Sequence, residues 1–568
     1  MTKRLLESST PGLHAIVQAQ ADNDPERVAL IGNHCTWGYA DLAGRANQYS
    51  RWALKQGLRP GDVVGLLMSN QPEFVAVWLG LTQVGCVTAL LNPQLGTASL
   101  AHSMDVVGVR VAIGESSILG KHGPDRIRLN CRWWEHGGSD RFARIDTAVA
   151  DLPSESLAGD ERRPATVQAP ALLVFTSGTT GYPKAVKITH SRILEWSGWF
   201  AGMMNATFQD RLYNCLPMYH SVGGIAAIGS MLVAGGSTVI RDRFSARQFW
   251  PEVVESQATI FQYIGELCRY LVQADACEDE RQHRLRLACG NGLRADVWER
   301  FQRRFEVPQI LEFYAASEGC ISLTNAEGKV GSVGRVPPFL VHRYPIALLR
   351  LDPVSEQPLR GADGLCMKCR SGEHGELIGR IDGTSLRFDG YTDAPATEAR
   401  YVQDVLSKGD RWFRAGDLMK QDAAGYYYFI DRLGDTYRYK GENVSTTEVA
   451  AVIQSCDGVV DALAYGVSVP GVEGKAGMAA LVVGNEFTLS GLHAHLADRL
   501  PSYARPLFIR ICSSLDTTET FRLRKTDFAR EGYESAADPI WFFDANVGDY
   551  VPCDARLGQR IKAQSLKL

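Results

Sequence analysis

The chain has 568 residues, with 60 basic and 64 acidic side chains and a net charge of −4. Apolar residues make up 45% and charged ones 22%, which excludes a disordered or fibrous chain; so even a charge balance makes no field that would draw nucleic acid. At about 150 residues per domain the length allows three to four domains, although large α/β domains break that count.

In chain order, the opening MTKRLLESST carries two basic residues with no apolar stretch behind them, so no signal peptide is expected. Val63–Met68 reads as a strand. Phe74–Leu91 (FVAVWLGLTQVGCVTALL) is an apolar run of eighteen residues, long enough to raise the question of a membrane span. Thr82, Gln83, Gly85 and Thr88 interrupt it and Asn92-Pro93 ends it, so it reads as a buried helix followed by a buried strand. Leu172–Phe175 and Leu212–Leu216 have strand character, and Ser191–Met204 and Arg294–Phe305 have helical period. This alternation predicts stacked α/β layers with largely parallel sheets. In Arg294–Phe305 (RADVWERFQRRF), Val297, Phe301 and Phe305 share one face, which predicts a solvated amphipathic helix; peripheral membrane contact is its second reading. Between Arg380 and Tyr401 the chain turns polar and glycine-rich, and Gly425–Asp435 reads as a strand running into a polar turn. The expected domains are therefore a large N-terminal body, residues 1–431, and a small α+β body, residues 432–568, with hinge freedom between them.

The thirteen cysteines are scattered singly apart from Cys366 and Cys369, which favours a reducing cytoplasm. The lone C-x-x-C has no second pair at zinc spacing, and His374 is the extra nitrogen ligand nearby.

The chemistry is concentrated in Thr176-Ser177-Gly178-Thr179-Thr180-Gly181-Tyr-Pro-Lys184, directly after the strand ALLVF. Its glycines let backbone N–H groups approach a polyphosphate without interference from Cβ atoms. The hydroxyls of Thr176, Ser177, Thr179 and Thr180 add donors, and Lys184 adds a point charge. It is not a Walker A loop, whose two glycines stand further apart and whose lysine follows glycine directly.

This loop resembles the phosphate loop of the adenylate-forming (ANL) superfamily, which includes acyl-CoA synthetases, luciferases and adenylation domains. Other stretches resemble that family in the right order. Leu216-Pro-Met-Tyr-His220-Ser-Val-Gly-Gly224 is similar to its histidine motif before the acyl pocket. Gly290-Asn291-Gly292-Leu-Arg294 is similar to its adenine loop, and Tyr314-Ala-Ala-Ser317-Glu318 to Y-G-x-T-E. Trp412-Phe-Arg-Ala-Gly416-Asp417 resembles W-x-x-T-G-D, and Asp431-Arg432 the domain junction. RFDGYTDAPATEARYV, KGDRWFRAGDL, GYYYFIDRLGDTYRYKGENVSTTEVA and DPIWFFDANVGDYVP resemble the fatty-acid transport protein and very-long-chain acyl-CoA synthetase branch. Many animal members of that branch begin with a membrane segment that this sequence lacks, so a soluble or peripherally attached member is expected.

The resemblance implies a large N-terminal domain of layered α/β subdomains with a small mobile C-terminal domain. It also implies ATP, Mg²⁺ and CoA as reactants or cofactor, and a carboxylate, most simply a fatty acid, as the small-molecule substrate. The phosphate loop and Lys184 would hold phosphates, and Glu318 would ligate Mg²⁺, a hard cation suited to one carboxylate plus phosphate oxygens. Asp417 would accept from the ribose hydroxyls with Arg432 beside it, and His220 would border the acyl pocket. Met218, Ile225, Tyr263 and Cys320 are candidate pocket residues by motif adjacency. For thioester formation the small domain would rotate near Asp431–Gly434, and the Gly441 loop would line the thiol tunnel.

One motif departs from the family. The adenylation lysine is expected in T-G-T-F-K-x-x-K, and here the run is Thr518-Glu519-Thr520-Phe521-Arg522-Leu523-Arg524-Lys525. Arg522 stands where the lysine is expected and Lys525 matches the second basic position. A guanidinium clamps phosphate as a planar fork, which differs from a compact ammonium. Three functions remain open: acyl-CoA ligation, ATP-dependent activation of another oxyanion such as nitrite for transfer to an amine, and lipid binding with little catalysis.

Overall fold

A computed structural model describes residues 12–122, 131–138, 141–163, 166–176, 184–316, 318, 321–352, 355–381, 390–433, 436–439, 442–470, 474–515, 525–533 and 538–563. They form two compact units, residues 1–334 with 381–401, and residues 335–380 with 402–568.

The first unit is built on two largely parallel sheets. In the seven-stranded one the order is Ala143–Arg144, Arg132–His136, Val111–Glu115, Val63–Leu67, Val87–Leu90, Pro170–Thr176 and Lys184–Thr189. All its neighbours are parallel except the last pair, a hairpin in which Thr176 faces Lys184. Val87–Leu90 is buried along its whole length, as a strand covered on both faces must be. The helix before it, Pro72–Gln83, starts with proline in its first turn and buries every residue from Pro72 to Thr82. The apolar run is thus a buried helix and a buried strand, and no described helix is long and apolar enough to cross a membrane.

In the eight-stranded sheet the order is Ser322–Asn325, Gln309–Ala315, Leu287–Asn291, Ile260–Ile264, Arg211–Asn214, Ser237–Ile240, Val28–Ile31 and Thr36–Gly38. The six inner strands are parallel and only the two edge strands run antiparallel. Helix Ala295–Phe305 buries Val297, Trp298, Phe301 and Phe305, the amphipathic face its sequence predicts, with Trp298 added.

In the second unit, Arg411–Gln421 pairs antiparallel with His374–Arg380 on one side and Tyr427–Arg432 on the other. A second sheet orders Val459–Val467, Ala476–Val483, Phe508–Ile511, Ile540–Asp544 and Asp549–Pro552. Each sheet has its own apolar core, one within residues 347–412 and one within residues 437–561. The division expected between residues 431 and 432 falls inside this unit, between its two cores. The unit itself starts earlier, because the sheet holding Arg411–Gln421 belongs with the C-terminal residues.

Candidate active site

In the first unit the hairpin fixes Lys184 as the first residue of its returning strand, opposite Thr176. Gly390–Thr392 lies along the outer edge of that strand. The Lys187 N–H donates to the Gly390 carbonyl at 3.3 Å, and the Thr392 N–H donates to the Ala185 carbonyl at 3.0 Å. Tyr391, opposite Val186, is thereby buried beside Lys184, whose ammonium lies 5.9 Å from the ring centroid. The Tyr391 hydroxyl donates to the Glu318 carboxylate. Burial, then the Glu318 charge, push that hydroxyl well above its ordinary pKa, so it remains a donor at neutral pH. Arg192, from the helix His190–Met203, donates to the Glu318 carbonyl at 2.9 Å. Lys184 and Glu318, singled out from sequence, meet on Tyr391, which the sequence left inside a family stretch without a role.

The Gly290–Gly292 loop sits at the end of strand Leu287–Asn291. A Cβ on Gly290 would lie 2.2 Å from the Tyr263 carbonyl oxygen, and one on Gly265 would lie 1.9 Å from the Gly292 carbonyl oxygen. Gly292 itself has φ +77°, in the left-handed region. Close contact therefore requires glycine at Gly290 and Gly265, and the backbone favours it at Gly292. Beneath the loop is Glu312, which accepts from the Leu293 N–H at 3.1 Å and from the Tyr263 hydroxyl at 2.6 Å. Complete burial raises its carboxyl to about 8 against these hydrogen bonds, which lower it. Neither Glu312 nor its bond to Tyr263 was visible in the sequence, because no motif marks a buried acid under a glycine loop. Tyr263, a candidate for the acyl pocket, has its hydroxyl committed to Glu312.

The histidine motif follows strand Arg211–Asn214. Asn70 clamps it, donating to the Leu216 carbonyl at 2.8 Å and accepting from the Met218 N–H at 2.8 Å. Val222–Ile228 is a π-helical segment, a geometry frequent at functional sites. Gly224 permits it, since a Cβ there would lie 2.2 Å from the Met218 carbonyl oxygen. His220 packs on Tyr219 at 4.5 Å between ring centroids, and Met218 and Ile225 are buried.

These motifs share one edge. Strands Arg211–Asn214, Ile260–Ile264, Leu287–Asn291 and Gln309–Ala315 are parallel neighbours, so His220, Gly265, the Gly290–Gly292 loop and Tyr314 follow or occupy their carboxyl ends. Ligand crevices of open α/β sheets lie at that edge.

In the second unit, Asp417 faces Arg432 across two antiparallel strands, with Oδ1 3.6 Å from Nε. Gly416, at φ +74°, donates its N–H to Glu376 at 3.2 Å and accepts from the Leu433 N–H at 2.9 Å. Asp431 is buried against the start of helix Thr446–Gln454. It accepts from Ser445 Oγ, Thr446 Oγ1, Thr447 Oγ1 and the Thr447 N–H, all at 2.9–3.1 Å. Lys525 Nζ donates to Thr446 Oγ1 at 2.6 Å and lies 4.0 Å from Asp431 Oδ1. Cys366 and Cys369 are both free thiols, and Cys369 Sγ lies 3.3 Å from the His374 carbonyl oxygen. Ser177, Gly178, Thr179, Thr180, Gly181, Ser317, Cys320, Gly441 and Arg522 lie outside the described residues, as does the side chain of Thr176.

The sequence profile of the AMP-binding enzyme family matches residues 17–358, and that of the AMP-binding enzyme C-terminal domain matches residues 448–522. Long-chain fatty acid transport protein 1 of Mus musculus is 40% identical, the alignment covering 97% of this chain and 88% of that protein. Long-chain fatty acid transport protein 2 of Rattus norvegicus is 37% identical, over 98% and 91%. Among solved structures, an anthranilate CoA ligase in complex with anthranoyl-AMP superposes with a TM-score of 0.78 at 18% identity, covering 92% of this chain and 97% of that one. An ATP-bound structure from Rhodopseudomonas palustris gives 0.76 at 20% identity, over 91% and 98%. With its fold matching those solved structures and its sequence matching both profiles and the transport proteins, the chain belongs to the AMP-binding, adenylate-forming enzyme family, in the fatty-acid transport protein and acyl-CoA synthetase-like branch.

Proposed function

We propose that the protein joins a long-chain fatty acid to CoA through an acyl-adenylate. A carboxylate oxygen of the acid bonds to the α-phosphorus of ATP as pyrophosphate leaves; the CoA sulfur then bonds to the acyl carbon as AMP leaves. Charge gathers on phosphate oxygens in the first step, and donors fixed beforehand stabilise it. Lys184 supplies such a charge from the end of the phosphate-loop hairpin. The Gly290–Gly292 loop, built without side chains at its close approaches, receives the adenine; Asn291 Oδ1, buried there with no partner among the described residues, is an acceptor for a ligand N–H. Asp417, held opposite Arg432, receives the ribose. The chemistry of one carboxylate at Glu318, with phosphate oxygens completing the shell, suits Mg²⁺, which would neutralise phosphate charge there. The free thiols among the described residues support a reducing, cytoplasmic setting.

The observation that carries this reading is the meeting of Lys184 and Glu318 on one buried tyrosine in a chain 40% identical to a long-chain fatty acid transport protein. The test is ATP–pyrophosphate exchange with fatty acids of graded length, aryl acids and nitrite, followed by thioester formation with and without CoA. Exchange greatest with long-chain acids, and CoA-dependent thioester, are expected. Exchange with nitrite alone would replace the substrate, and lipid binding without exchange would leave a binding protein. Lys184→Ala and Glu318→Ala should each lower exchange by at least about tenfold, the scale of one lost charge contact.

A further inference from the structure

We propose that Tyr391 is a positioning residue for adenylation, holding the Glu318 carboxylate in the orientation in which it takes Mg²⁺. This rests on Glu318 as the magnesium ligand.

Glu318 stands just beyond strand Gln309–Ala315, outside any regular element. A glutamate side chain in such a place has several rotamers, and ordering it costs entropy that a metal site must overcome. Tyr391 removes that freedom, because its own position is fixed several times over. Its backbone lies on the Lys184–Thr189 strand through the Gly390 and Thr392 bonds, and its own N–H donates to Thr397 Oγ1 at 3.0 Å. Thr397 Oγ1 in turn donates to the Asp393 carbonyl at 2.9 Å. Lys184 covers one region of the ring at 5.9 Å from the centroid. The hydroxyl therefore reaches Glu318 from a rigid base, and the Arg192 bond fixes the Glu318 backbone from another element.

A carboxylate offers about four lone-pair sites, so accepting from Tyr391 is compatible with ligating a cation. Ligating carboxylates are themselves hydrogen-bonded, and loss of such a partner weakens metal binding by about 10–100-fold. One side chain also ties the residue proposed for magnesium to the hairpin that carries the phosphate-binding lysine. Metal and phosphate ligands are then kept in register by a single ring.

The test uses Tyr391→Phe in the full chain, which keeps the ring and its packing and removes only the hydroxyl. ATP binding is measured by calorimetry across a Mg²⁺ series and in EDTA, at a temperature where circular dichroism shows both proteins folded. The Mg²⁺ concentration for half-maximal ATP binding should rise about tenfold, while binding in EDTA stays at the wild-type value. An unchanged Mg²⁺ requirement would overturn the proposal. So would an equal loss with and without Mg²⁺, which marks a change in the hairpin rather than in the carboxylate. Glu318→Gln is measured alongside. If it raises the Mg²⁺ requirement and Tyr391→Phe does not, only the tyrosine's role fails; if it leaves the requirement unchanged, the magnesium reading fails and this inference with it.

Discussion

Glu312 shows how a buried residue can set the conditions under which the Gly290–Gly292 loop holds its shape. Its carboxyl is raised to about 8 by burial, against an ordinary value of 4.5. Below pH 4.5 the group is protonated in both folded and unfolded chains and costs nothing. Between that value and about 8 the unfolded chain releases the proton while the folded one keeps it, so stability falls as pH rises through this window and levels off above it. The substitution Glu312→Gln puts a neutral group there at every pH: the amide can donate to the Tyr263 oxygen while its carbonyl accepts from the Leu293 N–H. The Tyr263 hydroxyl also has the Leu311 carbonyl, at 3.4 Å. Glu312→Gln should therefore flatten the fall in melting temperature across this window relative to wild type, with the two proteins alike near its lower end. Parallel pH profiles would show that Glu312 does not titrate there. Gly290, Asn291 and Gly292 were legible in the sequence through their resemblance to the family's glycine loop. The sequence could not show Glu312, because burial of an acid is decided by the strands and loops packed around it and not by any local pattern.

At the scale of elements, the start of helix Thr446–Gln454 is organised by a carboxylate from strand Tyr427–Arg432, Asp431, fifteen residues before Thr446. Ser445 is its N-cap, and Asp431 adds acceptors for Thr446, Thr447 and the Thr447 N–H. A negative group at a helix N-terminus also meets the positive end of the helix dipole. Asp431→Ala leaves those donors without their charged partner, at a cost of about 2 kcal/mol. In a chain with several cores this should appear as local opening rather than as one global shift. Amides of residues 447–454 should exchange hydrogen roughly 30-fold faster, the equivalent of that energy at about 1.4 kcal/mol per tenfold. Exchange at the wild-type rate would mean that Ser445 alone suffices. Asp431 was legible from sequence only as part of a junction motif. Its job as a cap depends on where the chain returns, which periodicity does not show. By contrast, helix Pro72–Gln83 and strand Val87–Leu90 were readable as they stand, since an apolar run broken by Thr82, Gln83 and Gly85 has one economical solution in an α/β layer.

At the scale of the whole molecule, the proposed adenylation calls for a basic residue of the C-terminal segment to bring charge to the α-phosphate. The sequence offered Arg522 and Lys525 without a choice between them. In the second unit Lys525 has a structural engagement, donating to Thr446 Oγ1 at 2.6 Å with Asp431 Oδ1 at 4.0 Å. An ammonium bound to a helix start and its capping carboxylate serves that junction, and drawing it away for catalysis would leave buried Asp431 with one fewer positive partner. This favours Arg522, whose planar fork can take two phosphate oxygens at once. The two substitutions should then separate along two measurements. Arg522→Ala should lower ATP–pyrophosphate exchange by about a hundredfold, the scale of one preorganised donor to developing charge, with thermal stability unchanged. Lys525→Ala should lower thermal stability and speed exchange of the amides of residues 447–454, as Asp431→Ala does, with a smaller effect on the chemistry. If instead Lys525→Ala abolishes pyrophosphate exchange in a chain that melts normally, the ammonium leaves Thr446 during the reaction. The contact seen here would then be the resting place of the catalytic charge.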